Sequence, residues 1–110
     1  MFYIEEMLFN CRLITQRIID YSITEESYKL SPDQQDLLSM PLLRICELAA
    51  RFEDNLKYLV LDYDWEAMAK MRNQIAHPYG GFDFDFVWEA ATQDIPDLTV
   101  ICEGLLNTDS

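Results

Sequence analysis

The chain has 110 residues, with 8 basic and 20 acidic side chains and a formal net charge of −12. Half of its positions are apolar and only seven are glycine or proline, so it is long and apolar enough to bury a core, as a disordered acidic tail is not. A broad basic nucleic-acid footprint is excluded, because the overall field repels polyanions and leaves room only for contact at one local site. In chain order, residues 2 to 23 place Ile4, Met7, Leu8, Cys11, Ile14, Ile18 and Tyr21 at spacings of three and four, with polar residues between them. This predicts an amphipathic helix. Thr24 before Glu25 and Glu26 caps a short helical turn, and Ser31-Pro32-Asp33 is a further start signal, with Pro32 suited to the first helical position. From Leu38 the apolar positions Leu42, Ile45, Ala49, Phe52, Leu56 and Leu59 predict a long helix to about Leu61. Pro41, lacking a backbone donor, is expected to kink or divide it.

Asp62-Tyr63-Asp64 predicts a break and an N-cap before a helix from Trp65 to about His77, which Pro78 and Gly80-Gly81 end. Phe82 to Phe86 alternates as a strand would, yet five residues without a partner strand do not make a sheet. Asp85 is instead expected to cap a helix from Phe86 to about Gln93, and Asp94-Ile95-Pro96 to open a last one through Leu98, Ile101, Cys102, Leu105 and Leu106. Residues 107 to 110 read as a frayed tail. The expectation is an all-α chain forming one domain over residues 1 to 110, an up-and-down bundle of four to five helices. Cys11, Cys46 and Cys102 sit among apolar neighbours without ligand spacing, so they read as reduced core residues, and the single histidine argues against a zinc site. The first residues lack a basic start and no apolar run reaches membrane-spanning length, which predicts a soluble, cytoplasmic protein with no membrane partner.

The Trp65–His77 segment carries the chemistry. On a wheel of about 100° per residue, Trp65, Met68, Ala69, Ile75 and Ala76 form the apolar stripe and Arg72 falls within it. A guanidinium cannot shed its proton, so Arg72 needs a neighbouring acid, for which Glu47 is the candidate, or a cleft open to an anion. Asn73 and His77 stand four apart on one flank, and a histidine in a last turn is favoured as the cation by unpaired carbonyls. Asp62, Asp64, Asp83 and Asp85 form two Asp-x-Asp pairs, each where a helix needs an N-cap, and neither fits a metal-binding loop. Trp65, Trp88 and the phenylalanines are read as core and interface rather than base-stacking platforms.

The run Arg72-Asn73-Gln74-Ile75-Ala76-His77-Pro78-Tyr79 resembles the Arg-Asn-x-x-x-His-x-Tyr signature of the HepT-like ribonuclease toxins of the HEPN superfamily. Trp65, Val87-Trp88, Asp94-Ile95-Pro96-Asp97-Leu98 and Ile45-Cys46-Glu47-Leu48-Ala49 stand in register with further family segments, so the likeness spans about Ile19 to Leu106. Pro41, Cys46 in place of a glycine, and Pro78 depart from the family pattern. The resemblance implies a HEPN-like homodimer that cleaves RNA without a metal or other cofactor at a composite cleft. His77 would serve as general acid or base, Arg72 would stabilise charge on the phosphate, and Asn73 would orient one of them. It further implies a cognate minimal nucleotidyltransferase antitoxin of the MntA type, which adds AMP to Tyr79. Alternatives from other classes are a catalytically silent dimeric adaptor, in which Arg72 only pairs with Glu47, and a nucleotide-binding regulator. Residues 61 to 110 hold ten acids, and their only bases, Lys70 and Arg72, lie in the signature helix.

Overall fold

The computed structural model describes residues 2–51, 63–77 and 81–107. The helices are α1 (Phe2–Asp20), α2 (Glu25–Leu30), α3 (Pro32–Ala50), α4 (Trp65–Ile75), α5 (Phe84–Glu89) and α6 (Ile95–Asn107). Among the described residues the only sheet is an antiparallel bridge between β1 (Ala76–His77) and β2 (Gly81–Phe82), in the register Ala76 with Phe82 and His77 with Gly81. The architecture is thus the expected all-α bundle. No helix among the described residues is long and apolar enough to cross a membrane.

The polar start signals act as the sequence implies. Thr24 and Ser27 form a reciprocal capping box on α2, and the Ser31 hydroxyl accepts from Gln34 N with Pro32 at the first position of α3. The Asp64 carboxylate accepts from Ala67 N at 2.9 Å, which opens α4. Where α5 begins, the expectation fails by one turn signal. The cap is Asp83, whose carboxylate accepts from Phe86 N at 3.1 Å, so the helix starts at Phe84 and Asp85 lies in its first turn. The alternating run is therefore split. Gly81 and Phe82 do find a strand partner, in the residues that follow α4, and the remainder is helical.

Pro41 neither divides α3 nor ends it. The helix runs unbroken from Pro32 to Ala50 with Pro41 buried inside it. A proline at position 41 removes the donor that the Leu37 carbonyl would normally receive. That carbonyl instead accepts from Arg17 Nη1 of α1 at 2.6 Å, a charge-assisted bond between the two packed helices. The part of the expected long helix beyond Arg51, residues 52 to 61, lies outside the described residues.

A second departure concerns the C-terminal helices, expected as two. Between α5 and α6 the residues Ala90–Asp94 form a π-helical turn, and Ala90 and Ile95 at its ends keep right-handed helical dihedrals. The Ile95 N–H reaches back to Ala90 O, five residues earlier. The chain thus stays helical from Phe84 to Asn107, with Pro96 directly after the wider turn. The expected start at Asp94 is a change of winding, not a break.

Helix α3 lies centrally, against α1 on one side and α4 on the other, and α6 packs on α1. The core joins Met7, Cys11 and Ile14 of α1, Leu38, Leu42 and Ile45 of α3, Trp65, Met68 and Ile75 of α4, and Ile95, Leu98 and Cys102 of α6. All three cysteines are free and buried, as expected of reduced core residues. The bundle brings two of them together: Cys102 hydrogen-bonds Cys11, and that bond with burial pushes the Cys102 thiol far above the ordinary thiol range. Tyr28, fully buried, ties α2 to α5 by donating from its hydroxyl to Phe84 O at 2.8 Å and packing its ring on Trp88.

Candidate active site

Helix α4 is held to the core by Trp65, Met68, Met71 and Ile75, at spacings of three and four. Met71 occupies the place in the stripe that the wheel gave to Arg72. The guanidinium is instead at the edge, where the side chain is 54% exposed. Its Nε stands 3.8 Å from Glu47 Oε1 of α3, and the Glu47 side chain is 53% exposed. The expected partner is therefore present, in a solvent-facing pair rather than a buried one. At this separation and exposure such a pair contributes roughly 0–1 kcal/mol, so either member can turn to another ion at little cost.

Cys46, the neighbour of Glu47, is completely buried beneath this pair. Burial pushes its thiol up to about 12, and the nearby Arg72 charge, which pulls the other way, does not overcome it. The floor under the guanidinium is accordingly neutral at physiological pH.

Asn73 is exposed beside Arg72. His77 is not in the last turn of the helix. Helix α4 ends at Ile75, with Ala76 extended at φ −113 and ψ 93, and His77 lies in β1 opposite Gly81. The cause is local: the ring of Pro78 disfavours helical dihedrals at the residue before it and pushes that residue toward extended backbone. The return strand starts at Gly81 with φ +75, a left-handed value that suits glycine. Asp83 N then donates to Ile75 O at 2.8 Å, which closes the end of α4 on the start of α5. The helix-dipole contact expected for His77, and its place on one helical flank with Asn73, are thereby corrected. His77 is described by its backbone alone, and Tyr79 lies outside the described residues.

The described residues thus bring Arg72, Asn73 and Glu47 to one exposed edge, with the His77 backbone two residues past the end of α4. The Asp-x-Asp pairs contribute capping carboxylates at Asp64 and Asp83. Asn10, Arg44 and Arg51, which belong to no sequence motif, line a cavity that Glu47 also borders. Arg44 stands three residues before Glu47 on the same helix, and Arg51, four after it, is the residue that follows the end of α3.

A family model described as ribonuclease HepT-like matches residues 10–105. The chain is 33% identical over 54 residues to a protein of Thermococcus cleftensis named probable ribonuclease HepT, a match that covers 49% of each chain. It is 25% identical over 100 residues to a putative RNase of Caldanaerobacter subterraneus subsp. tengcongensis, covering 87% of this chain and 84% of that one. No solved structure matches the chain.

Proposed function

The chain belongs to the HepT-like ribonuclease family, and from that premise we propose that it is a ribonuclease toxin that cleaves RNA without a metal through Arg72, Asn73 and His77. The observation that carries this reading is the half-exposed Arg72, held by one loose 3.8 Å contact over a neutral floor. In the reaction the ribose 2′-oxygen gives up its proton, attacks the adjacent phosphorus, and the 5′-oxygen leaves with a proton supplied to it. His77 mediates these proton transfers, which suit a group that titrates near neutral pH. Arg72 faces the charge that builds on the phosphate oxygens, and Asn73 orients the histidine or the phosphate. A single histidine serves one end of the reaction at a time, so a homodimer that sets a second His77 across the cleft supplies the other.

The partner in this reading is a minimal nucleotidyltransferase antitoxin acting in the cytoplasm. The Tyr79 hydroxyl attacks the α-phosphorus of ATP, pyrophosphate leaves, and the bound AMP adds bulk and negative charge near Arg72 and His77 that excludes an RNA phosphate. Two measurements test the proposal. RNA degradation in EDTA should fall by about 10²–10⁴-fold in His77→Ala, and identical wild-type and variant rates would overturn the catalytic assignment. Co-expression with the neighbouring gene product should raise the intact mass by multiples of AMP, abolished by Tyr79→Phe; an unchanged mass removes the antitoxin assignment.

The observed Arg72–Glu47 pair also suits a catalytically silent adaptor, in which that pair is structural. Under the adaptor reading Glu47→Ala and Arg72→Ala lose equal stability, and purified protein leaves RNA intact.

A further inference from the structure

A groove of about 440 Å³ runs along α1, lined by Glu5, Leu8, Phe9, Arg12 and Leu13 of that helix and by Leu106 of α6. Leu8 is buried and Leu13 and Leu106 are half-buried, while Phe9 is 60% exposed, so an aromatic side chain stands in water beside further apolar surface. Single exposed apolar residues are ordinary on a protein surface. Here they adjoin in one concave strip with a charge toward each end. The groove lies apart from the Arg72 edge, since α3 stands between α1 and α4 and the two sites share no residue.

The charges select the occupant. Glu5, Phe9 and Arg12, four and three residues apart, form one stripe of α1, with an acid at one end, an aromatic between and a base at the other. Glu5 and Arg12 are about 10.5 Å apart along the axis. Arg12 Nη2 stands 3.6 Å from Glu103 Oε2 of α6, and both side chains are about half exposed, so the guanidinium has donors left for a second carboxylate. A polyanion is a poor match, because the one base in the lining is already faced by an acid. A parallel copy of α1 in register would set Glu5 against Glu5. An antiparallel copy, related by a two-fold axis between Leu8 and Phe9, sets Glu5 against the partner's Arg12 and Arg12 against the partner's Glu5, with the apolar residues meeting at the centre.

We infer that this groove takes a second copy of the chain, α1 packing antiparallel on α1, with Phe9 of each copy seated in the groove of the other and two Glu5–Arg12 pairs closing the rim. The surface is self-complementary, so one patch serves both partners and the contact closes on itself. It goes beyond the ribonuclease reading and does not depend on it. That reading brings a second His77 to the Arg72 edge, whereas this contact uses the other side of α3. A chain with both contacts joins into pairs of pairs.

Sedimentation equilibrium of the full chain over a concentration series tests the contact, with far-ultraviolet circular dichroism confirming that each variant is folded. Glu5→Arg and Arg12→Glu should each raise its dissociation constant about tenfold, since each creates two like-charge meetings. An equimolar mixture of the two variants should associate as tightly as wild type, because a mixed pair sets two bases of one chain against two acids of the other. Phe9→Ser should weaken association about a hundredfold. A wild type that is monomeric at every concentration, or an assembly that all three variants leave unchanged, overturns the inference. Association lost in Phe9→Ser and unchanged in both charge variants overturns the antiparallel pairing, as does a mixture that fails to recover. RNA cleavage separates this contact from the catalytic reading: Glu5→Arg should cleave at the wild-type rate. Association as expected in a wild type that leaves RNA intact overturns the ribonuclease reading and supports this contact, while cleavage lost together with association overturns its separation from the Arg72 edge.

Discussion

In the layer formed by α1 and α3, Pro41 sits inside an uninterrupted helix. At the edge of α4, by contrast, the chain leaves the helix at Ile75, ahead of Pro78, and His77 is extended. The same residue type removes a backbone donor in both places, and the outcomes differ because the surroundings do. Within the core layer Arg17 satisfies the carbonyl that Pro41 frees, while buried neighbours on both sides of α3 hold its path. At the α4 edge the residues past Ile75 are committed instead to a two-residue bridge and to the Asp83 N–H bond on Ile75 O. The candidate active site lies in the second region, where the charged groups are exposed and loosely paired.

The largest effect expected from this contrast is at Arg17. Arg17→Ala leaves the Leu37 carbonyl without a donor and should cost about 1.5–3 kcal/mol in urea unfolding. Placing Pro41→Ala in that background restores a backbone donor and should recover part of the loss. If it recovers none, Arg17 acts through something other than Pro41. Tyr28→Phe, which removes the hydroxyl that donates to Phe84 O, should follow at about 1 kcal/mol, with near-ultraviolet circular dichroism reporting the ring contact with Trp88.

At the α4 edge the expected changes are smaller. Glu47→Gln should alter unfolding free energy by at most about 1 kcal/mol, because the pair it breaks is half exposed. A loss above about 3 kcal/mol would show that the edge is as tightly built as the core. The alkaline limb of stability offers a separate probe, silent at neutral pH. Cys46 has its pKa raised on folding from 9.0 to about 12, so its contribution is complete below pH 9 and is lost as pH rises toward 12. Cys46→Ala should flatten that limb between pH 9 and 12 in a series of urea titrations.

Much of the fold was legible because its signals are local. Side-chain caps at Thr24, Ser31 and Asp64 act within three residues of themselves, and the apolar spacing of α1, α3 and α6 reports directly on which face is buried. Asp83 and Asp85 are equally good caps by composition, and the choice fell to Asp83 because the bridge fixes Gly81 and Phe82 as extended. On the α4 wheel, Met71 and Arg72 differ by one position, and only the direction from which α3 approaches decides which of them is buried.

The sequence by itself determined the all-α class, the reduced buried cysteines, the acidic balance and the Arg-Asn-x-x-x-His run with its family likeness, since each depends on residue type and near-neighbour spacing. Tertiary structure alone decided that Arg17 reaches the Leu37 carbonyl, that Met71 rather than Arg72 turns into the core, and that Cys102 meets Cys11. These are meetings between helices. Their energies depend on distance and burial between residues far apart in the chain, which no spacing along it encodes.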